Sequence, residues 1–405
     1  MIPIIDADAH VMETPDIFTS RFPAKDAQNV PHVKVDPSTG REMWYVGDTA
    51  VHGAVFSVIK GGKDDPVENR ENAPTGNDGD EWAHLPRTLA EVHPSSYDPN
   101  ERVKVMDQFG IQAATTFPNL TILGPDIFRE SPSADLDFGL KVVSAYNDWI
   151  MTWPQQQPGR FIPLACIPYW DVEGAVKEIE RCAEMGMKGL VMSGRPDIHG
   201  CPILPDPQYD RMWAAAQATG LSVSFHAGAG GFENFHNENR QRITGTPSMQ
   251  IYSTVSMLFQ NTISAVDLLT SGILARYPNL NFGIIETGAG WAPFALEAID
   301  VHYKRYKPWE QHPEMSPDVL PSDLFRRQVY INVWFEQLAE VAGDLLDNVM
   351  FETDYPHPTC LVGDDIREVL EVKLAGLTPE QTENVLYKNA MRYYGLKLAD
   401  IGLAE

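Results

Sequence analysis

The sequence predicts an α/β chain: a (β/α)8 barrel of the TIM type, with a long insertion after its first strand. Three observations carry that expectation. From about residue 100 onward, short apolar runs alternate with segments of helical spacing, and with the run at 3–10 they number eight. Several helical segments stop at a glycine, the usual helix terminator. Four of the apolar runs end in Asp, Glu or His, as expected where the carboxyl ends of barrel strands converge on one site. An open doubly wound sheet is the main competitor, but no GxGxxG turn follows the first strand, which weakens a dinucleotide-binding version of it.

The first run, 3–10, ends in Asp6-Ala7-Asp8-Ala9-His10. Residues two apart on a strand share a face, so Asp6, Asp8 and His10 are expected to point to one side. Residues 24–100 read differently, with clusters of Pro, Gly, Asn and Asp around a hairpin expected near 43–48. This is read as an inserted lid or small β-subdomain within a single domain spanning 1–405. Trp44, Tyr45, Phe56 and Trp82 argue that it packs, because such side chains are seldom left in water. Helical spacing over 101–109 stops at Gly110, and a strand follows at 111–118. Next come a helix at 136–152, a strand at 161–168, a helix at 171–185 and a strand at 189–193. A helix at 209–219 leads to a strand at 221–226, a helix at 256–271 to a strand at 281–286, and a helix at 291–305 to a strand at 329–333. A helix at 337–346, a strand at 349–354 and a helix at 378–394, with Thr378 as its N-cap, complete the chain.

Composition narrows the function. A net charge of −25 repels polyanions, so neither nucleic acid nor an anionic membrane is an expected partner, although a local cation could still bind an anionic substrate. The first residues lack a basic, then long apolar, leader, and no run of about 20 apolar residues spans a membrane. Cys166, Cys182, Cys201 and Cys360 are scattered without a CxxC pair, which fits buried thiols in a reducing cytoplasm.

The chemistry sits at the ends of the apolar runs. Asp8 and His10 end the first, His226 the run at 221–226, Glu286 the run at 281–286, and Asp354 the run at 349–354, three residues before His357. Carboxylates and imidazoles aimed at one point repel one another unless a cation sits between them. Two oxygen donors with two imidazoles suit one divalent metal, zinc first, with manganese or iron also compatible. Each residue has a duller reading: His226 as a satisfied core histidine, Glu286 as a helix cap, His357 as a turn residue facing solvent.

The chain resembles the amidohydrolase superfamily. The resemblance is to the amidohydrolase-related branch that includes aminocarboxymuconate-semialdehyde decarboxylase and resorcylate-type decarboxylases. It is carried by DADAHVMETPDIF, LPDPQYDRMWAAAQATGLSVSFHAG, ETGAGWAPFALEAIDVHYKR, FETDYPHP and LTPEQTENVLYKNAMRYYGL. The resemblance implies a distorted (β/α)8 barrel around one divalent metal, with Asp8, His10, His226 and Asp354 as ligands and Asp6 as a deeper carboxylate. Many members carry a histidine where this chain has Glu286, and Asp8 stands where histidine is common, which shifts the site toward manganese.

The first functional expectation is non-oxidative decarboxylation of an aromatic or unsaturated carboxylic acid, with Asp354, Glu286 or His357 protonating the carbon that loses CO2. The second is hydrolysis of an amide, ester, lactone or C–C bond in an aromatic-type substrate, with Asp354 or Glu286 taking the proton from water. A non-catalytic metal-binding protein is the third, and the glycine-rich turns after His226 and Glu286 speak against it. Arg195 and Arg240 are candidates to hold a substrate anion. Trp291, with Trp44 and Trp334, is a candidate to line an apolar pocket. The partners expected are a small-molecule substrate and a second copy of the chain in a homodimer.

Overall fold

The computed structural model describes residues 2–404 apart from 28, 56–57, 63–64, 66, 68–84, 120–123, 130–134 and 229–237. Eight parallel strands follow one another around a nearly closed barrel: β1 (Ile5–Asp6), β6 (Ala113–Pro118), β7 (Phe161–Cys166), β8 (Gly189–Met192), β9 (Ser222–His226), β10 (Phe282–Ile285), β11 (Val329–Val333) and β12 (Val349–Phe351). The short β2 (His10–Val11) continues beside β6, with His10 opposite Phe117. Backbone hydrogen bonds close the ring between first and last strands: Ala7 N to Phe351 O at 2.9 Å, Asp354 N to Asp8 O at 2.8 Å, and His10 N to Tyr355 O at 2.7 Å. Strand residues are buried on both faces, as parallel sheets require. One buried cluster inside the ring joins Ile5, Ala7, Ile162, Leu164, Ile285 and Met350 to Tyr393 and Tyr394 of the C-terminal segment.

The helical layer follows from local signals. Asp98 caps Pro99–Phe109 through Asn100 N, and Gly110 ends it at φ 75°, a left-handed conformation that glycine adopts without steric cost. Asp171 caps Val172–Glu184, and Thr378 forms a capping box with Gln381. Asparagines on helices pin strand carbonyls. Asn147 Nδ2 donates to Cys166 O at 2.9 Å, and Asn261 Nδ2 donates to Phe225 O and Ile285 O at 3.0 and 2.9 Å.

Several expected elements differ. The first strand is not continuous over 3–10. It breaks after Asp6, so Ile5 and Ala7 face the barrel interior while Asp6 turns away, and the common face expected for Asp6, Asp8 and His10 holds only for the last two. Asp6 accepts instead from Thr353 N at 2.9 Å and Thr353 Oγ1 at 2.5 Å. The strands expected to end on Glu286 and Asp354 stop at Ile285 and Phe351, because both acidic residues have positive φ and cannot continue an extended chain. The helix expected at 256–271 runs from Thr246 to Thr270, and that at 337–346 is one short turn (Leu338–Val341) followed by a tighter one (Gly343–Asn348). The segment 379–393 contains a wide turn at Asn384–Lys388 between two short helices.

Within 24–100, β3 (His32–Val35), β4 (Glu42–Val46) and β5 (Thr49–Gly53) form a separate antiparallel sheet. Trp44 is fully buried against Phe18, and Tyr45 stacks on His32. Phe56 and Trp82 lie outside the described residues.

One backbone feature yields a stability prediction. Lys307 follows the helix Ala292–Tyr306 at φ 51°, a conformation costing a side-chain-bearing residue roughly 1–2 kcal/mol. Among the described residues its ammonium pairs with Glu310 alone, at 3.7 Å on the surface, a contact worth little. Lys307→Gly is expected to stabilise the chain by about 1 kcal/mol in a denaturant titration. A lowered midpoint would contradict this account of the turn.

Candidate metal centre

The break after Asp6 brings the Asp8 carboxylate and the His10 imidazole to the mouth of the barrel. His10 Nδ1 lies 3.0 Å from Pro118 O, so it carries the proton and leaves Nε2 as a bare acceptor. His226, the last residue of β9, is oriented the same way, with Nδ1 donating to Ala227 O at 2.7 Å. The two Nε2 atoms face each other at 3.0 Å, with Asp8 Oδ1 3.1 Å from His226 Nε2 and 3.5 Å from His10 Nε2. Two lone pairs and a carboxylate at such separations require a positive charge among them.

From the far side, Asp354 Oδ1 lies 3.5 Å from His10 Nε2 and 2.7 Å from His357 Nδ1. Asp8, His10 and His226 thus form one set of converging donors, and His10, Asp354 and His357 a second that shares His10. Asp8 and Asp354 have no exposed surface, and among the described residues Asp8 Oδ2 has no hydrogen-bond partner. An orphaned carboxylate oxygen beside two inward-facing imidazole nitrogens fits a divalent cation, since a buried anion is otherwise expensive.

The chain's own electrostatics agree. Burial opposes charge on His226, yet Asp8 and then Glu286 outweigh it and raise its pKa to about 10. A proton on His226 thus places a positive charge among these donors. Burial, with His357 and His226 as neighbours, holds His10 well below the usual histidine range. Burial lowers His357 to about 4, so it is neutral. Burial first, and the charge of Asp354 second, push Glu286 up to about 8. Glu286 Oε2 lies 3.6 Å from His226 Nδ1.

The backbone at the two acids is strained. Glu286 has φ 58° and Asp354 φ 60°. Aspartate tolerates this region, whereas for glutamate it costs roughly 1–2 kcal/mol, and such strain persists where the surroundings over-determine it. The turn after Glu286 is gripped by Glu336, whose Oε1 accepts from Ala289 N at 2.6 Å. Gly288 follows at φ 68°, where any other residue would be strained, and a Cβ there would push Glu336 aside.

The remaining expected site residues lie apart. Arg195 pairs in bidentate fashion with Asp197 at 2.9 and 2.8 Å, on the rim of a cleft that also includes His226, Gly228 and Gln260. Arg240 stacks on Tyr252 at 3.8 Å. The Trp291 indole donates to Gly288 O at 3.0 Å and packs edge-on to Phe325, toward the helical layer. Part of the glycine-rich turn after His226, residues 229–231, lies outside the described residues.

Sequence reading missed four residues that border the centre. Asn119 Oδ1 lies 3.1 Å from His357 Nε2, and Glu13 accepts from Asn119 N at 3.1 Å. Asn261 pins the carbonyls just before His226 and Glu286. Glu352 is wholly buried, both its carboxyl oxygens lack a partner among the described residues, and burial raises its pKa well above the usual range. Glu352 stands two before Asp354, the same spacing as Asp8 and His10, and that spacing was the available signal.

Comparison with known proteins gives the chain a family. The sequence profile of the family described as amidohydrolase matches residues 79–396. A gamma-resorcylate decarboxylase from Polaromonas sp. (strain JS666 / ATCC BAA-500) is 25% identical over 289 residues, covering 68% of this chain and 80% of that protein. The solved structure of an amidohydrolase from Mycobacterium avium subsp. paratuberculosis K-10 superposes with a TM-score of 0.71 at 22% identity, covering 97% of this chain and 99% of that one. The dihydroxybenzoic acid decarboxylase of Polaromonas sp. JS666, solved with manganese and the inhibitor 2-nitroresorcinol, superposes at 0.58 with 17% identity, covering 98% of each chain. Among the described residues no helix is long and apolar enough to cross a membrane.

Proposed function

The chain belongs to the amidohydrolase family, and from that premise we propose that it is a metal-dependent, non-oxidative decarboxylase of an aromatic or unsaturated carboxylic acid. The observation that carries the proposal is the meeting of His10 Nε2, His226 Nε2 and Asp8 Oδ1 within 3.5 Å, with Asp354 Oδ1 completing the ring. Asp8, His10, His226 and Asp354 are assigned as ligands. A divalent cation held there supplies a fixed positive charge and Lewis acidity for an anionic substrate. Zinc, the first expectation from two nitrogen and two oxygen donors, and manganese, present in the Polaromonas neighbour, both suit the set; elemental analysis of the purified protein separates them.

Glu286 is assigned as the proton donor. Burial and the negative charge of Asp354 keep its carboxyl protonated near neutral pH, as a general acid requires. The bond from the ring carbon to the carboxylate breaks, CO2 leaves, and the same carbon takes the proton from the Glu286 carboxyl, which recovers it from water. His357, neutral, stands with Nδ1 2.7 Å from Asp354 Oδ1 and is assigned to steady that carboxylate. Arg195, which shares a cleft with His226, and Arg240 are kept as candidates for the substrate's anionic group. The inserted segment supports a lid role, because Ile59 N donates to Pro356 O at 2.8 Å, within the turn that carries His357.

A glutamate where many members carry histidine favours a second reading, hydrolysis of an amide, ester, lactone or C–C bond. A panel of hydroxybenzoates and aryl amides and esters separates the two. CO2 release without uptake of water supports decarboxylation, cleavage of the second set supports hydrolysis, and silence from both classes sinks both.

A homodimer is supported by the helix Thr246–Thr270. Residues 246–266 carry no charged side chain, although the chain bears −25, and Ile251, Phe259 and Ile263 are 68%, 61% and 50% exposed. An apolar stripe of this kind marks an interface. Phe259→Glu is expected to weaken dimerisation at least about 100-fold in sedimentation equilibrium. An unchanged association constant would remove this helix from the interface. The four scattered free thiols support a cytoplasmic location.

A further inference from the structure

Arg102 lies on the helix Pro99–Phe109 and is 1% exposed, yet among the described residues no carboxylate pairs with it. A buried cation without a counter-ion costs several kcal/mol, so its partners matter. Its Nε donates to Ser95 O at 2.6 Å and its Nη2 to His10 O at 2.7 Å. The guanidinium plane lies over the Tyr355 ring at 4.6 Å, with Trp153 at 5.6 Å on another side. The Tyr355 hydroxyl hydrogen-bonds to Ser95 Oγ, and Tyr355 O accepts from His10 N.

These contacts converge on the two chain segments that build the metal centre. His10 is gripped through its carbonyl, and Tyr355 directly follows Asp354. One planar group therefore fixes the backbone of His10 against the turn of Asp354, the two residues whose side chains meet at 3.5 Å. Two neutral amides could satisfy two carbonyls more cheaply. Only a guanidinium offers divergent donors in one plane together with a cationic face for an aromatic ring. Burial lowers the Arg102 pKa to about 10, which leaves it charged at neutral pH.

We propose that Arg102 is a positioning residue for the metal centre, locking the His10 strand against the Asp354–Tyr355 turn so that both ligands meet one cation. The inference rests on the ligand assignment above. Lysine can reach one carbonyl but can neither fork nor stack, so Arg102→Lys loosens the lock while keeping the charge.

The test uses the full chain stripped of metal and titrated with Co2+, read by visible absorption and calorimetry. Arg102→Lys is expected to bind Co2+ about 10–100-fold more weakly, with altered d–d bands, and to lose kcat with little change in KM. Tyr355→Leu, which removes the ring and keeps the charge, is expected to shift the bands in the same direction, whereas Tyr355→Phe leaves them unchanged. A folded Arg102→Lys protein with the wild-type titration and spectrum overturns the proposal, even if its melting temperature falls. If that variant does not fold, Tyr355→Leu decides, and unchanged bands overturn the proposal. A wild-type chain that takes up no Co2+ would instead sink the ligand assignment itself.

Discussion

Asp354→Asn is expected to give a folded protein whose turnover falls by about 10³-fold or more. The substitution keeps the size of the side chain and suits the backbone, because asparagine, like aspartate, tolerates the φ of 60° found there. Asp354 N still donates to Asp8 O, so the barrel closure survives. What is lost is the negative charge at Oδ1, which faces His357 Nδ1 at 2.7 Å and His10 Nε2 at 3.5 Å. That charge has two roles in the proposal: as an assigned donor to the cation, and as the group that, after burial itself, raises Glu286 to about 8. Without it, the proposed proton donor loses part of what keeps it protonated, and contributions of this kind amount to about 10²–10⁴-fold. Fewer buried like charges also mean that the metal-free variant should melt no lower than the metal-free parent. Turnover on whichever substrate class the panel identifies, measured beside the melting curve, checks both halves. Full activity in a folded Asp354→Asn protein would remove this residue from the centre.

The barrel was legible because its signals are local. Apolar runs such as 161–166 and 329–333, and caps such as Gly110, Asp171 and Thr378, act within a few residues of where they stand. The segments that bring Asp8, His10, His226 and Asp354 together were legible for the same reason, since each closes an apolar run. Their neighbours were not. Arg102 reaches His10 across 92 residues and Asn119 reaches His357 across 238, distances over which sequence spacing carries no signal. Strand interruptions were also hidden. Asp6-Ala7-Asp8-Ala9-His10 alternates as a strand should, yet hydrogen bonds from Thr353 pull Asp6 out of the common face. Glu286 and Asp354 look like terminal strand residues until the left-handed backbone at each is seen, and nothing in a glutamate announces positive φ. The length of the helix at 246–270 was missed because its exposed side is as apolar as its buried side, which blurs the periodicity that marks helices.

Replacing Asp8 and His226 together by alanine should reduce bound metal from about one ion per chain to near zero. Asp8 Oδ1 and the two imidazole Nε2 atoms converge within 3.0–3.5 Å of one another, and the double replacement leaves His10 and Asp354 as the only assigned ligands. Two donors do not hold a divalent cation against water and buffer. The consequence reaches stability through linkage. A ligand present at 1,000 times its Kd stabilises the folded chain by about 4.1 kcal/mol, so a chelator should lower the melting temperature of the parent markedly. The double variant should be indifferent to the same chelator. Its metal-free form should also fare better than deletion of two buried side chains would imply, since Asp8 Oδ2 has no partner among the described residues and the Asp8 charge adds to the buried acidity around Glu286 and Glu352. Cavity formation and relief of charge thus oppose each other in the bare chain, while metal binding is lost outright. Elemental analysis and chelator-dependent melting read the two effects separately. A variant that keeps the parent's metal stoichiometry, or whose melting still responds to chelator as the parent's does, would show that the cation binds elsewhere.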